Sequence, residues 1–148
     1  MAEGAASDGL TPQARAAELT ATFEGTLHGL LGMTYDEVAH GRARNRLTVR
    51  PELFATNGFL HAATIVALAD SACGHGCMAS LPEGATGFTT LELKANYLGT
   101  VRDGVIVGEA TVAHGGRTTQ VWDAVVRAEG SERPLALFRC TQLILYPR

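Results

Sequence analysis

The chain has 148 residues, a mass of 15.6 kDa and a net charge of -3, enough for one sizeable core. Apolar residues make up 46% and charged residues 18%, which excludes a disordered chain. The slightly acidic balance excludes a nucleic-acid binder held by bulk charge. No apolar run approaches the roughly 18 residues of a membrane span, so no membrane association is expected. Met1 to Asp8 carries neither a basic nor an apolar signal region, and a cytoplasmic protein is expected. The cysteines are Cys73, Cys77 and Cys140; an odd number without a secretion signal reads as free thiols. Every basic residue but Lys94 is Arg, a side chain suited to phosphate and carboxylate recognition.

Residues 1–10 are small and polar and are expected to be disordered; residues 11–148 read as a single domain. Thr11-Pro12 is a helix cap followed by Pro at the first helical position. Ala16, Leu19, Phe23, Leu27 and Leu30/Leu31 then recur at three- and four-residue steps, predicting one amphipathic helix that ends near Gly32. Two strands follow near 33–40 and 42–50, with a turn at His40-Gly41. Pro51 to Gly58 is a connection rich in breakers. Residues 60–79 are apolar nearly all round and rich in small side chains, the pattern of a helix buried on most sides. From residue 86 the period changes to two, predicting strands near 86–98, 104–114, 117–128 and 134–146. The short breaks between these strands favour an antiparallel meander. The order predicts an α+β domain, an antiparallel sheet around one long central helix, which is the hot-dog arrangement.

Asp70 stands in the middle of the most apolar segment. A carboxylate there is costly to desolvate. It is either a buried cap for a backbone group or a reactive carboxylate reaching into a pocket. Asn57-Gly58-Phe59-Leu60-His61-Ala62-Ala63 leads from loop to helix. The first amides of a helix lack internal partners and carry partial positive charge, so they can polarise a carbonyl. His61 either caps its own helix or helps to shape a site. Asp70 follows Ala62 by eight residues, about 12 Å along the axis. If both serve one site, two antiparallel helices from two protomers must supply them.

Cys73-Gly74-His75-Gly76-Cys77 puts the thiols on one helical face and His75 on another. Buried thiols in tight helix packing are expected there, without a metal. Gly115-Gly116-Arg117-Thr118-Thr119 is a turn whose Arg117 and Thr118 are either solvated or contact a phosphate or a pantetheine-like arm. Trp122 and Tyr97 read as core or interface residues.

Asn57-Gly58-Phe59-Leu60-His61-Ala62-Ala63 with Leu68-Ala69-Asp70-Ser71-Ala72 resembles the His-Gly-Gly…Ala-Asp signature of hot-dog acyl-CoA thioesterases of the phenylacetate-pathway type. Leu91 to Leu98, His114 to Thr118 and Ala136 to Cys140 extend the resemblance over residues 30–146. It implies a homodimer at minimum, expected as a homotetramer, that hydrolyses an acyl-CoA substrate without cofactor or metal. It implies Asp70 as nucleophile or general base, the Ala62 amide polarising the thioester carbonyl, and His61 shaping the site. Asn57, Gly58, Ala63, Arg117 and Thr118 are the expected substrate contacts. The sequence departs from the family where Ala62 and Ala63 replace two glycines, crowding the thioester with two methyl groups. Counting back from Leu31-Gly32, Glu24 stands where relatives can carry a water-positioning Asn. The competing readings are a non-catalytic acyl-CoA binding protein, motivated by Ala62 and Ala63, and a hot-dog dehydratase using His61 or His75 as base.

Overall fold

The first helix is shorter than the apolar spacing predicts. In a computed structural model that describes residues 9–148, α1 spans Pro12–Ala21, with Thr11 capping Ala14 N–H at 3.1 Å. Of the expected disordered start, residues 1–8 lie outside the described range. The chain then breaks before a separate short helix, α2, over Leu27–Leu31. Polar competition explains the break: the Thr26 hydroxyl and N–H both donate to the Phe23 carbonyl, at 2.6 and 3.0 Å. Gly25 takes a left-handed φ of +73°, which glycine adopts without steric cost. The three- and four-residue spacing across this break is therefore not a helical face. Phe23 is buried, while Leu27 and Leu30 are 60% and 71% exposed.

The hairpin β1 (Thr34–Ala39) and β2 (Arg42–Thr48) follows as expected. Its alternation turns Ala43, Asn45 and Leu47 inward and Arg42, Arg44 and Arg46 outward. The arginines pair with carboxylates on the outer sheet face, as in Arg46–Asp36 at 2.8 Å and Arg44–Glu109 at 3.0 Å. The central helix α3 spans Ala62–Met78. It is followed by β3 (Gly87–Tyr97), β4 (Val105–Gly115), β5 (Thr119–Ala128) and β6 (Pro134–Leu145). All pairings are antiparallel and the sheet order is β1-β2-β4-β5-β6-β3, with α3 packed across one face. This is the hot-dog arrangement.

The meander is only partly present. β4, β5 and β6 are consecutive neighbours, but β3 pairs with β6 at the far edge and β4 pairs with β2. The segment around Val101–Gly104 is thus a crossing rather than a hairpin turn. A period of two fixes which residues face the helix, not which strand lies alongside. The edge position shows in the exposure of β3, which has no buried residue.

Small residues let α3 lie close on the sheet. A Cβ on Gly76 would stand 2.6 Å from the Trp122 ring, and one on Gly108 would stand 2.5 Å from Asn45 Oδ1. Leu68, Ala69, Ala72, Cys73 and Cys77 are fully buried at this contact. The three cysteines are free thiols in the packing. Burial pushes the Cys77 thiol up to about 12, and a hydrogen bond with Cys140 together with burial pushes Cys73 higher still. The C-terminal end of α3 is tied to the sheet by polar contacts. Trp122 Nε1 donates to Gln120 Oε1, and Gln120 Nε2 to the Ser80 carbonyl, both at 2.8 Å.

Candidate active site

The start of α3 is set by its preceding loop. Asn57 Oδ1 accepts from Phe59 N–H at 3.2 Å, and Gly58 takes a φ of +81°. His61 N–H donates to the Leu53 carbonyl at 2.9 Å, fixing the entry angle. His61 is the helix cap: its Nδ1 accepts from Ala63 N–H at 2.9 Å. Its carbonyl accepts from Thr64 N–H at 3.0 Å. These bonds consume the Ala63 and Thr64 donors. The Ala62 N–H meets no acceptor among the described residues, and it sits at the positive end of a helix of about 25 Å. A cavity of about 310 Å³ opens beside it, lined by Phe59, Leu60, Ala62, Ile65, Tyr97, Gly99 and Thr100. One free polarising amide thus borders a largely apolar recess.

Asp70 lies two turns further along α3, half-buried. Its Oδ1 is buried and has no hydrogen-bond partner among the described residues. It caps nothing, so the first of its two expected roles is not what the structure shows. Burial pushes the carboxyl above its ordinary range, and the charge of His28 pulls it partly back. A cluster of rings stands near it. His28 stacks on Phe23 with centroids 4.6 Å apart and meets the His75 ring edge-on at 5.2 Å. Tyr35 Oη is 2.7 Å from His75 Nδ1, and the same nitrogen lies 3.0 Å from the Ser71 carbonyl. The carbonyl can only accept, so holding it requires the ring hydrogen on Nδ1. Burial pushes His75 down to about 4, which leaves it neutral at ordinary pH.

A carboxyl oxygen without a hydrogen-bond partner and a helix-terminal amide without an acceptor are groups that acyl transfer to water can use. The thioesterase superfamily profile matches residues 57–135, which contain both groups. The 1,4-dihydroxy-2-naphthoyl-CoA hydrolase of Listeria monocytogenes is 31% identical over 115 residues, 78% of this chain and 92% of that protein. The chain belongs to the thioesterase superfamily. A crystal structure of mutant thioesterase PA1618 from Pseudomonas aeruginosa superposes with a TM-score of 0.81 at 25% identity, covering 88% of this chain and 93% of that one. A thioesterase family protein from Silicibacter pomeroyi gives 0.76 at 29% identity over 89% and 98%. The family and these neighbours place this hot-dog protein among the hydrolases.

Within the chain, the residues singled out in the sequence form two groups with Asp70 between them. Asn57, Gly58, His61, Ala62 and Ala63 gather at the N-terminal end of α3, with Ala62 and Ala63 exposed. Arg117 and Thr118 sit at the β4–β5 turn, at the other end. Thr119 pairs with Leu143 beside the Gly87–Leu145 pair, whereas Ala62 is reached by Tyr97 at the opposite end of β3. Arg117 lies over the Tyr146 ring at 5.4 Å, and Tyr146 Oη donates to its carbonyl at 2.6 Å. Asp70 lies between, about 12 Å from Ala62 along the axis. Glu24 is exposed in the α1–α2 connection and forms no bond with Asp70. His28, Tyr35 and His75 were not expected beside Asp70. For His28 the signal was the pair Gly25-Thr26, whose helix-breaking chemistry redirects the following turn.

Proposed function

We propose that the chain hydrolyses acyl-CoA thioesters to free acid and CoA, with an acyl group of aromatic or medium size. The observation that carries this reading is the Asp70 carboxylate, with one oxygen buried and unpartnered on the helix that also exposes the Ala62 amide. The Ala62 N–H holds the thioester carbonyl oxygen. Asp70 adds to the carbonyl carbon or takes a proton from an attacking water. A new C–O bond forms, the C–S bond breaks, and CoA leaves as a thiolate that takes up a proton; where Asp70 itself adds, a water then hydrolyses the resulting mixed anhydride, releasing the acid and restoring the carboxylate. His61 acts by capping the helix, which leaves Ala62 as the free donor. The cavity beside Ala62, with Phe59 and Tyr97 in its wall, suits a ring or a short chain. The motifs at Asn57–Ala63 and Leu68–Ala72 favour the phenylacetate-pathway type of hot-dog thioesterase.

The distance between Ala62 and Asp70 makes the working unit a homodimer at minimum, and a homotetramer is the assembly we infer. The free edge of β3 supports this. Its helix-facing residues Leu93 and Tyr97 are 43% and 47% exposed beside α3, and Leu91 and Leu98 are exposed along the same edge. Pairing this edge with a second copy about a two-fold axis covers these residues and lays the two α3 helices antiparallel. Asp70 of one protomer then approaches Ala62 of its partner. Arg117 and Thr118 are the proposed contacts for the phosphates of CoA. Residues 11–148 act as one domain in the cytoplasm, where buried free thiols stay reduced. No helix among the described residues is long and apolar enough to cross a membrane.

The test is to incubate the purified protein with a panel of acyl-CoAs and a thiol reagent. Turnover on aromatic or medium-chain esters is expected. Saturable binding of acyl-CoA without thiol release would replace this reading with the non-catalytic one that Ala62 and Ala63 motivate.

A further inference from the structure

We propose that Tyr35, Asn45 and His75 are positioning residues that tether the turn of α3 carrying Asp70 and so aim its carboxylate. That Asp70 reacts with a thioester rests on the hydrolase reading above; that its turn is tethered rests on bonds within the fold. No hydrogen bond or ion pair reaches the Asp70 carboxylate among the described residues, and its Oδ1 is buried without a partner. Its direction therefore follows from the backbone that carries it, through the few staggered rotamers a helix allows. The carbonyls on either side of Asp70 are both held by side chains. Asn45 Nδ2, from β2, donates to the Leu68 carbonyl at 2.9 Å. His75 Nδ1 donates to the Ser71 carbonyl at 3.0 Å and lies 2.7 Å from Tyr35 Oη, on β1.

Neither carbonyl needs a second donor. In an α-helix the N–H four residues on, here that of Ala72 or His75, already serves each one. The side-chain bonds are therefore tethers and not a way of satisfying a buried group. Both lead to the same hairpin: Tyr35 and Asn45 stand directly opposite each other in the β1–β2 register, and both are buried. Placing Asn45 there costs local stability. Its Oδ1 is buried without a hydrogen-bond partner, which carries a desolvation penalty. Its neighbour on β4 is Gly108, where a Cβ would stand 2.5 Å from that oxygen. Glycine inside a strand weakens it, so two unfavourable choices accompany one bond to Leu68. At the other tether Tyr35 is wedged among rings, with centroids 5.8 Å from Phe23 and 5.0 Å from His75. Burial pushes His75 down to about 4, so at neutral pH the ring keeps one hydrogen, on Nδ1 where the Ser71 carbonyl requires it. The β1–β2 hairpin thus grips α3 two residues before Asp70 and one residue after it.

Two variants loosen one tether each: Tyr35→Phe removes the hydroxyl and keeps the ring, and Asn45→Ala removes the donor. The first measurement is amide hydrogen exchange along α3 by NMR. Exchange is expected to quicken by about tenfold at the His75 amide in Tyr35→Phe and at the Ala72 amide in Asn45→Ala. The amides of Ile65 and Val66 are expected to exchange as in the wild type. The second measurement is kcat and KM for acyl-CoA hydrolysis at a temperature where circular dichroism shows each variant fully folded. There kcat is expected to fall by about tenfold with KM unchanged, short of the roughly hundredfold that a misplacement of about 1 Å costs. Exchange that is unchanged, or that quickens evenly along α3, would mark a purely structural role and overturn the proposal. Quicker exchange at the Asp70 turn with kcat intact, or a loss carried by KM alone, would also overturn it. Either variant decides the matter if the other fails to fold. If exchange quickens at that turn while the wild type turns over no acyl-CoA, the hydrolase reading falls and the tether on the Asp70 turn stands.

Discussion

Asp70→Asn separates what the carboxylate does for chemistry from what it costs the fold. The two side chains have nearly the same shape and similar helix propensity, so α3 and the assembly are expected to persist. Asparagine can neither attack the thioester nor accept a proton from water. Turnover should fall by at least about a hundredfold, the lower end of what a general base contributes. That is about 2.7 kcal/mol of barrier at 1.36 kcal/mol per tenfold. Stability should move the other way. The Asp70 carboxyl binds its proton more tightly in the folded chain than in the unfolded one, because burial penalises the charge. The wild-type protein therefore loses stability as pH rises from the unfolded value, about 3.9, through the folded one. Above that range an ionised Asp70 is a constant cost. The variant has no such titration. Its melting temperature should gain on the wild type between pH 4 and pH 7, read by differential scanning calorimetry with acyl-CoA hydrolysis measured in parallel. Undiminished hydrolysis by a folded variant would remove Asp70 from the mechanism. A difference in melting temperature that does not grow with pH would show that the buried carboxylate carries no net cost.

Chains with Asp70→Asn mixed with chains blocked by Ala62→Trp are each inactive alone; after co-refolding, heterodimers should regain one working site, and no regain would contradict a shared site. Leu93→Glu places a charge on the free edge of β3, and light scattering should show a shift to monomer with loss of turnover; an active monomer would refute the two-protomer arrangement. Gly76→Ala forces a methyl against the Trp122 ring and should lower stability by about 1–3 kcal/mol in denaturant titration, whereas an unchanged midpoint would mean that the helix moves freely on the sheet. Ala62→Gly keeps the N–H and removes a methyl, so activity should rise more for benzoyl- than for acetyl-CoA; equal losses on both would show that the methyl packs against substrate.

The central helix and the last four strands were legible because one feature dominates each. Residues 62–78 are apolar on most sides, and the strands alternate with period two. The α1–α2 break was not legible, because Leu27 and Leu30 continue an apolar spacing that the structure leaves on the surface. The competing signal lay in Gly25 and Thr26, whose local bonds outweighed it. Strand order was half legible: hairpins with short turns fix neighbours, but nothing in the alternation of β3 names β6 as its partner. The same contrast holds for the candidate site. Asp70 declares itself as a charge in an apolar helix, and His61-Ala62-Ala63 as a helix start. His28 declares nothing, since its direction depends on the break that the spacing concealed.

The two alanines at the start of α3 illustrate how a departure from a family pattern can be compatible with its chemistry. Polarisation needs a backbone N–H without a partner, and any residue but proline supplies one. The His61 ring takes the Ala63 donor, so the free amide is that of Ala62 whether or not either position is glycine. Both methyl groups are on the exposed side of the helix, so they cost nothing in core packing. Alanine also avoids the loss of helix stability that glycine brings, about 0.5–1 kcal/mol in a helix interior and less at the first turn. What changes is the shape of the approach. Ala62 lines the cavity together with Phe59 and Tyr97. Under the proposed mechanism, the replacement is expected to act on which acyl groups reach the carbonyl position, while the Ala62 N–H remains available to polarise it.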